Sequence, residues 1–212
     1  MFRRRRREQP EQSVDQTPQE PTREAGPWDA DEPHPGNDRI DLGGMRIPHQ
    51  PGFDIRLAAM GDQHVSVVAL YEESTLQVQA LAAPKTQGLW DEVRSKIKSG
   101  AAELTEQEGP LGTELVGQVE AEGELRPIRY LGVDGPRWVL LAIISGRAVL
   151  DEKVAAEFLD FVQDIVVVRG GDPMAREEAI PLHRPTDQSA EEQGEAPELN
   201  PFKRGPEISE IR

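Results

Sequence analysis

An α+β domain built on a mostly antiparallel, twisted sheet with two main helices is the fold class this sequence predicts. Three patterns predict it. Short stretches of alternating or β-branched residues recur between positions 39 and 171, separated by Gly, Pro and Asp turns. Two stretches in the same region, near 89–104 and 152–164, carry their apolar residues on a helical stripe instead. Two strands, 137–145 and 64–71, are apolar on both of their sides, so the sheet needs a cover on each face.

In chain order, apolar residues first recur at 39–48. Phe53, Ile55 and Leu57 then alternate with Asp54 and Arg56, which marks a strand with one buried face. Gly61-Asp62 offers a turn into the β-branched run 64–71, and 75–82 follows through a short polar connection, giving three meandering strands. Pro84 ends this run, and Thr86 is placed to cap a helix whose stripe is Trp90, Val93, Ile97, Ala101 and Leu104, broken by Gly109-Pro110. Strands resume at 112–119 and 125–133. Asp134-Gly135 is a two-residue hairpin signal leading into 137–145. Asp151 caps a second helix with Val154, Phe158, Phe161, Val162 and Ile165 on its buried side, and Val166–Val168 returns as a short extended segment. With one helix on each face the result is an α/β/α sandwich. With both on one face, a tail segment or a second copy in a homodimer closes the other.

Composition divides the chain into residues 1–38, a disordered N-terminal tail with an arginine run, a single domain at 39–171, and residues 172–212, an extended strap followed by a disordered acidic tail. The two ends are rich in proline and charge and poor in aliphatic side chains, so they cannot offset the entropy of ordering their backbone. Gly26-Pro27-Trp28-Asp29 interrupts the first tail with a lone Trp whose role stays open, and Ile180-Pro181-Leu182 interrupts the last.

The net charge of −15 disfavours general nucleic-acid binding, because phosphates are repelled by the surface as a whole. The chain has no cysteine, which excludes disulfides, thiolate metal sites and a Cys nucleophile. Five arginines after Met1-Phe2 imitate the start of a secretion signal, but Glu8-Gln9-Pro10-Glu11-Gln12 stands where its apolar segment belongs. No stretch approaches the ~18 apolar residues of a membrane span. The expectation is a cytoplasmic protein that is not integral to a membrane.

Motifs for chemistry are sparse. His34, His49, His64 and His183 are dispersed without ligand spacing, so no metal is expected and no cofactor is implied. Ser66 and Ser145 sit in no nucleophile elbow, and Gly43-Gly44 and Gly170-Gly171 form no phosphate loop. No residue is assigned a catalytic role. The candidate contacts are Lys85 at the start of the first helix, Arg137 and Trp138 at the 134–138 hairpin, and Arg169. The cations suit an anion or partner, and Trp138 is either a core residue or a partner anchor. Arg3, Arg4, Arg5, Arg6 and Arg7 form a solvated run able to touch a polyanion.

Several strings occur here in one order: 26–29, 39–48, 81–94, 112–115, 132–138, 166–170, Pro173-Met174 and 180–182. Together they resemble an actinobacterial family of unknown function, domain of unknown function 3710. The resemblance implies no activity and no site residue. Genes of that family often lie near a dUTPase gene, which implies a link to nucleotide metabolism by association alone. The order of strands and helices is also loosely similar to the Mog1/PsbP-like fold, without a shared motif.

The reading that follows is a non-catalytic protein-interaction module with an unknown protein partner. The alternatives are an enzyme or binder of a small anionic ligand near Lys85, Arg137 or Arg169, and a weak nucleic-acid or membrane tether through residues 3–7. A tether of that kind is salt-sensitive, since log K falls by roughly 0.7–0.9 per phosphate contact for each decade of salt. Full-length protein should therefore bind RNA or anionic vesicles in low salt only, and removing residues 2–7 should abolish binding without moving the melting temperature. Vesicle sedimentation across a salt series checks this. Binding that survives about 0.2 M salt, where screening reaches under ten ångströms, would point to a structured site elsewhere.

Overall fold

The computed structural model describes residues 25–185 except 86–87, 101–102 and 122. Its centre is a seven-stranded antiparallel sheet. In chain order the strands are β4 (Asp54–Met60), β5 (Gln63–Tyr71), β6 (Ser74–Ala82), β7 (Leu104–Gly109), β8 (Gly112–Ala121), β9 (Glu124–Gly135) and β10 (Trp138–Gly146). Across the sheet they run β4-β5-β6-β10-β9-β8-β7. A smaller sheet holds β1 (Trp28–Asp29), β2 (Arg39–Asp41), β3 (Met45–Pro48) and β11 (Val166–Val167), in the order β1-β11-β3-β2. The helices are α1 (Leu89–Gly100) and α2 (Glu152–Gln163), with a 3-10 turn at Arg147–Val149.

β10 is the strand on which both faces converge. Trp138, Leu140, Ala142 and Ile144 join the main core with Phe158, Phe161 and Val162 of α2 and with Met45 and Ile47 of β3. Val139 and Leu141 point the other way, against Leu89, Trp90 and Val93 of α1. The architecture is therefore two-sided, with α1 on one face and α2 plus the small sheet on the other. Asp151 begins α2, its side chain accepting from the Lys153 N–H at 3.1 Å. The Arg147 side chain is the main cause holding the Asp151 carboxyl below the usual range, with the Lys153 N–H adding to it.

Three sequence expectations change here. The first helix stops at Gly100, and Leu104, expected on its stripe, is buried in β7 against Leu115 and Ile128. A stripe of period 3.6 and the first apolar residue of a following strand coincide at this spacing, so periodicity alone extends the helix too far. The hairpin turn lies two residues later than Asp134-Gly135. Trp138 pairs with Gly135, and Pro136 and Arg137 form the corner, Arg137 at φ 63°. Pro136 pre-sets the first corner residue, and this outweighs the Asp-Gly signal. Finally, the boundary at Arg39 falls too late. Trp28 is 2% exposed, and β1 pairs in parallel with β11. A two-residue strand amid polar residues leaves no period to detect.

Glycines admit the two large indoles. A Cβ on Gly132 would lie 2.1 Å from the Trp90 ring, and one on Gly135 would lie 2.1 Å from that of Trp138. Trp90 also donates its indole N–H to the Thr113 carbonyl at 2.8 Å, which fixes the ring over β9. Gly132→Ala should destabilise the fold by about 1–3 kcal/mol, since a packed core cannot absorb the overlap. Adding Trp90→Leu to it should cost less than the two single effects together. Denaturant midpoints of the four proteins check the non-additivity.

Candidate functional site

Two of the predicted contacts come together. Arg137 at the β9–β10 corner and Arg169 after β11 line one open depression of about 190 Å³, with Asp29, Asp31, Glu32 and Pro136. Both guanidinium groups are drawn to backbone carbonyls. Arg137 Nη2 donates to Gly170 O at 2.9 Å, and Arg169 Nη1 donates to Asp172 O at 3.1 Å. Three carboxylates against two cations give the depression a net negative balance, which disfavours a further anion. The geometry thus gives little support to the anionic-ligand reading at these residues.

Trp138 is 0% exposed, and its Nε1 donates to Asp29 Oδ2 at 2.6 Å. The partner-anchor role is corrected accordingly, because a ring sealed between β10, α2 and the small sheet presents no surface to another molecule. Lys85 is exposed in the β6–α1 connection and does not reach the depression. The helix N-terminus beside it is already served from within, since Asp134 Oδ1 accepts from the Trp90 N–H at 3.1 Å. This carboxylate occupies the place considered for an anion. Thr86, read as the cap, and Arg3, Arg4, Arg5, Arg6 and Arg7 lie outside the described residues.

Glu114, which no sequence pattern singles out, is 1% exposed in β8. Arg129 Nε and Nη2 both donate to its Oε2, at 2.9 and 2.8 Å, and Gln107 Nε2 donates to Oε1 at 2.6 Å. Three donors on two oxygens make this carboxylate a cross-strand strut. A carboxylate so buried and held by three donors is engaged within the fold. Among the described residues no group of three His, Asp or Glu stands close enough to hold a metal ion, and no helix is long and apolar enough to cross a membrane.

The more suggestive feature is the α1-side face of the large sheet. Rows of cross-strand partners run Arg56–Val68–Gln77–Ile143–Tyr130–Leu115 and Asp54–Leu70–Thr75–Ser145–Ile128. Tyr130, Leu115 and Ile128 lie in the half adjoining α1, and burial raises the Tyr130 pKa. The β4–β5–β6 half lacks that cover. Val68 and Leu70 are half-buried and belong to none of the three apolar clusters. The charges on these two rows in that half are Asp54 and Arg56, and they pair with each other, Arg56 Nε donating at 3.1 Å. That hydrogen bond is the main cause raising the Arg56 pKa.

Comparison with known proteins adds a family and a distant likeness. The family model described as "Protein of unknown function (DUF3710)" matches residues 26–191. No curated protein matches the chain. Among solved structures, the solution structure of cyanobacterial PsbP (CyanoP) from Synechocystis sp. PCC 6803 is similar at 12% identity. The match covers 63% of this chain and 96% of that one, with a TM-score of 0.39, and nothing about activity follows from it.

The Trp138–Asp29 pair yields a direct test of burial. Trp138→Ala should cost about 3–5 kcal/mol, because it removes a large core side chain and leaves the Asp29 carboxylate without its indole donor. Trp138→Phe should cost less but still destabilise, and adding Asp29→Asn should recover part of that loss. Thermal melts of the three variants check the order.

Proposed function

The chain belongs to the family of unknown function that its match over residues 26–191 identifies, and we propose that it acts as a non-catalytic protein-interaction module. The docking surface in this reading is the uncovered β4–β5–β6 half-face. One observation carries it. On a chain of net charge −15, the two rows across this half-face offer only amides, hydroxyls, Val68, Leu70 and one self-paired ion pair. Depletion of charge at the centre is what distinguishes interface cores from ordinary surface, more than hydrophobicity does. The partner that fits is a protein with a flat, amphipathic, charge-poor face, which can bury Val68 and Leu70 and exchange hydrogen bonds with Thr75, Gln77 and Ser145. A tether through residues 3–7 is compatible with this function, and so is a cytoplasmic location.

A photoreactive side chain placed at Gln77 of the full-length protein, in its native cells, should yield an adduct with one protein. The same group at Glu152, exposed on α2, should not. The captured protein, purified, should bind in solution at defined stoichiometry, and Val68→Glu should weaken that binding by about tenfold or more (about 1.4 kcal/mol) with an unchanged melting temperature. Equal adducts from both positions, or binding indifferent to Val68→Glu, would defeat the reading. Self-adducts would make the partner a second copy.

A further inference from the structure

Beyond β11 the chain turns back across the fold as an extended strap. β6 is paired with β5 only as far as Val78, where Val67 is its last partner. Past that point the free edge of β6 meets residues 177–182. The Ile180 N–H donates to Ala80 O at 2.9 Å, the Ala82 N–H to Glu178 O at 2.8 Å, and the Glu177 N–H to Ala82 O at 2.9 Å. On the far side the Leu182 N–H donates to His64 O and the His183 N–H to Leu42 O, each at 2.8 Å. The strap thus sits in a slot between β5, β6 and the β2–β3 connection. Glycine shapes that slot. A Cβ on Gly44 would lie 2.5 Å from Pro181 O and 2.6 Å from Ile180 Cγ2.

Two side chains of the strap join the main core, and the rest of its hold is on backbone and surface groups. Ile180 and Leu182 are its buried side chains, each 3% exposed, and its bridges to the sheets are isolated ones with Pro181 in the middle. Its entry is pinned by exposed ion pairs, Lys96 Nζ with Glu177 at 2.7 Å and Arg176 with Glu92. Glu177 itself is left-handed at φ 63°, which a residue with a Cβ adopts at a cost. Gly170, left-handed at φ 66°, and Gly171 precede it. His64, whose carbonyl holds Leu182, keeps a buried Nδ1 with no hydrogen-bond partner among the described residues.

We propose that this slot is a β-addition site for an extended segment of a partner protein, and that the strap is its intramolecular competitor. The strap defines the ligand chemistry: an acidic residue for Lys96, then an apolar–Pro–apolar run in the places of Ile180, Pro181 and Leu182. Backbone hydrogen bonds to the β6 edge would give affinity, and the two apolar pockets beside Gly44 would give specificity. This surface is separate from the half-face proposed above, and either proposal can fail without the other.

The probe is a labelled peptide of residues 175–185, titrated into full-length protein. A tethered strap presents itself at about millimolar effective concentration, so wild type should bind the peptide only weakly. Full-length Ile180→Asp/Leu182→Asp, whose own strap cannot insert, should bind it at least tenfold more tightly. A peptide carrying the same two changes should not bind, nor should a receptor that also carries Gly44→Leu. Hydrogen exchange on wild type gives a readout independent of these variants, since the Ile180 and Leu182 amides should exchange well before those of Leu140 and Ala142. Equal peptide affinity for wild type and the double variant would overturn the proposal. So would strap amides that exchange only with global unfolding. Concentration-dependent dimers of wild type with exchanged straps would replace the partner segment by a second copy and overturn the proposal in this form.

Discussion

The hydrogen bond from the Trp138 indole to Asp29 is where the two sheets are fastened together. Trp138 opens β10, the strand whose two faces serve two cores, while Asp29 closes β1, which pairs with β11. A carboxylate 6% exposed is costly to bury without donors, and Asp29 receives the indole N–H on one oxygen and the Asp31 N–H on the other. The Trp28 N–H donates to Ile165 O at 2.8 Å just before it, so the N-terminal segment is locked to the end of α2 as well. Gly135 exists without a side chain because the Trp138 ring fills its place.

From this fastening follows the unequal cover of the large sheet. With α2 and the small sheet committed to the Trp138 side, α1 remains for the opposite face, and its twelve residues reach across β8, β9 and β10. Asp134 and Gly132 draw α1 to that half, the first by capping it and the second by admitting Trp90. In the β4–β5–β6 half no helix covers Val68 and Leu70, which stay half-buried, and the sequence there matches the consequence: Thr75, Gln77 and Gln79 alternate with the buried Leu76, Val78 and Ala80. A one-sided strand beside a two-sided one is how the sheet's open region is encoded.

Much of this was legible in the sequence because period and burial agree. β4, β6, β9, β10 and α2 have apolar patterns that match the faces they bury, and Asp151 caps where its position suggests, whereas β5, expected to be covered on both faces, keeps Val68 and Leu70 only half-buried on its second one. What escaped reading depends on distant residues. Asp134 looks like a hairpin residue until the turn moves to Pro136-Arg137 and frees it to cap α1. Glu114 alternates with Leu115 as a solvated residue would, and only Arg129 and Gln107 on the neighbouring strands make its burial tolerable. Trp28 and Asp29 carry no period at all. Of the candidate contacts, Arg137 and Arg169 converge, yet the acids that share their depression come from 29–32, a segment read as tail.

Both proposed contact regions trace to β6, at opposite ends and on different atoms. Near Thr75 and Gln77 it is a paired inner strand offering side chains on one face; near Ala80 and Ala82 its side toward β5 offers backbone groups to the strap. The change occurs because β5 leaves β6 after Val67, while β10 stays paired with β6 as far as Ala82. An inner strand that loses one neighbour partway along must satisfy its N–H and C=O groups some other way, since unpaired backbone groups are expensive to bury. The strap answers that demand with an extended segment from the same chain. The demand is for backbone geometry and two apolar side chains, and it places no requirement that the segment be covalently attached.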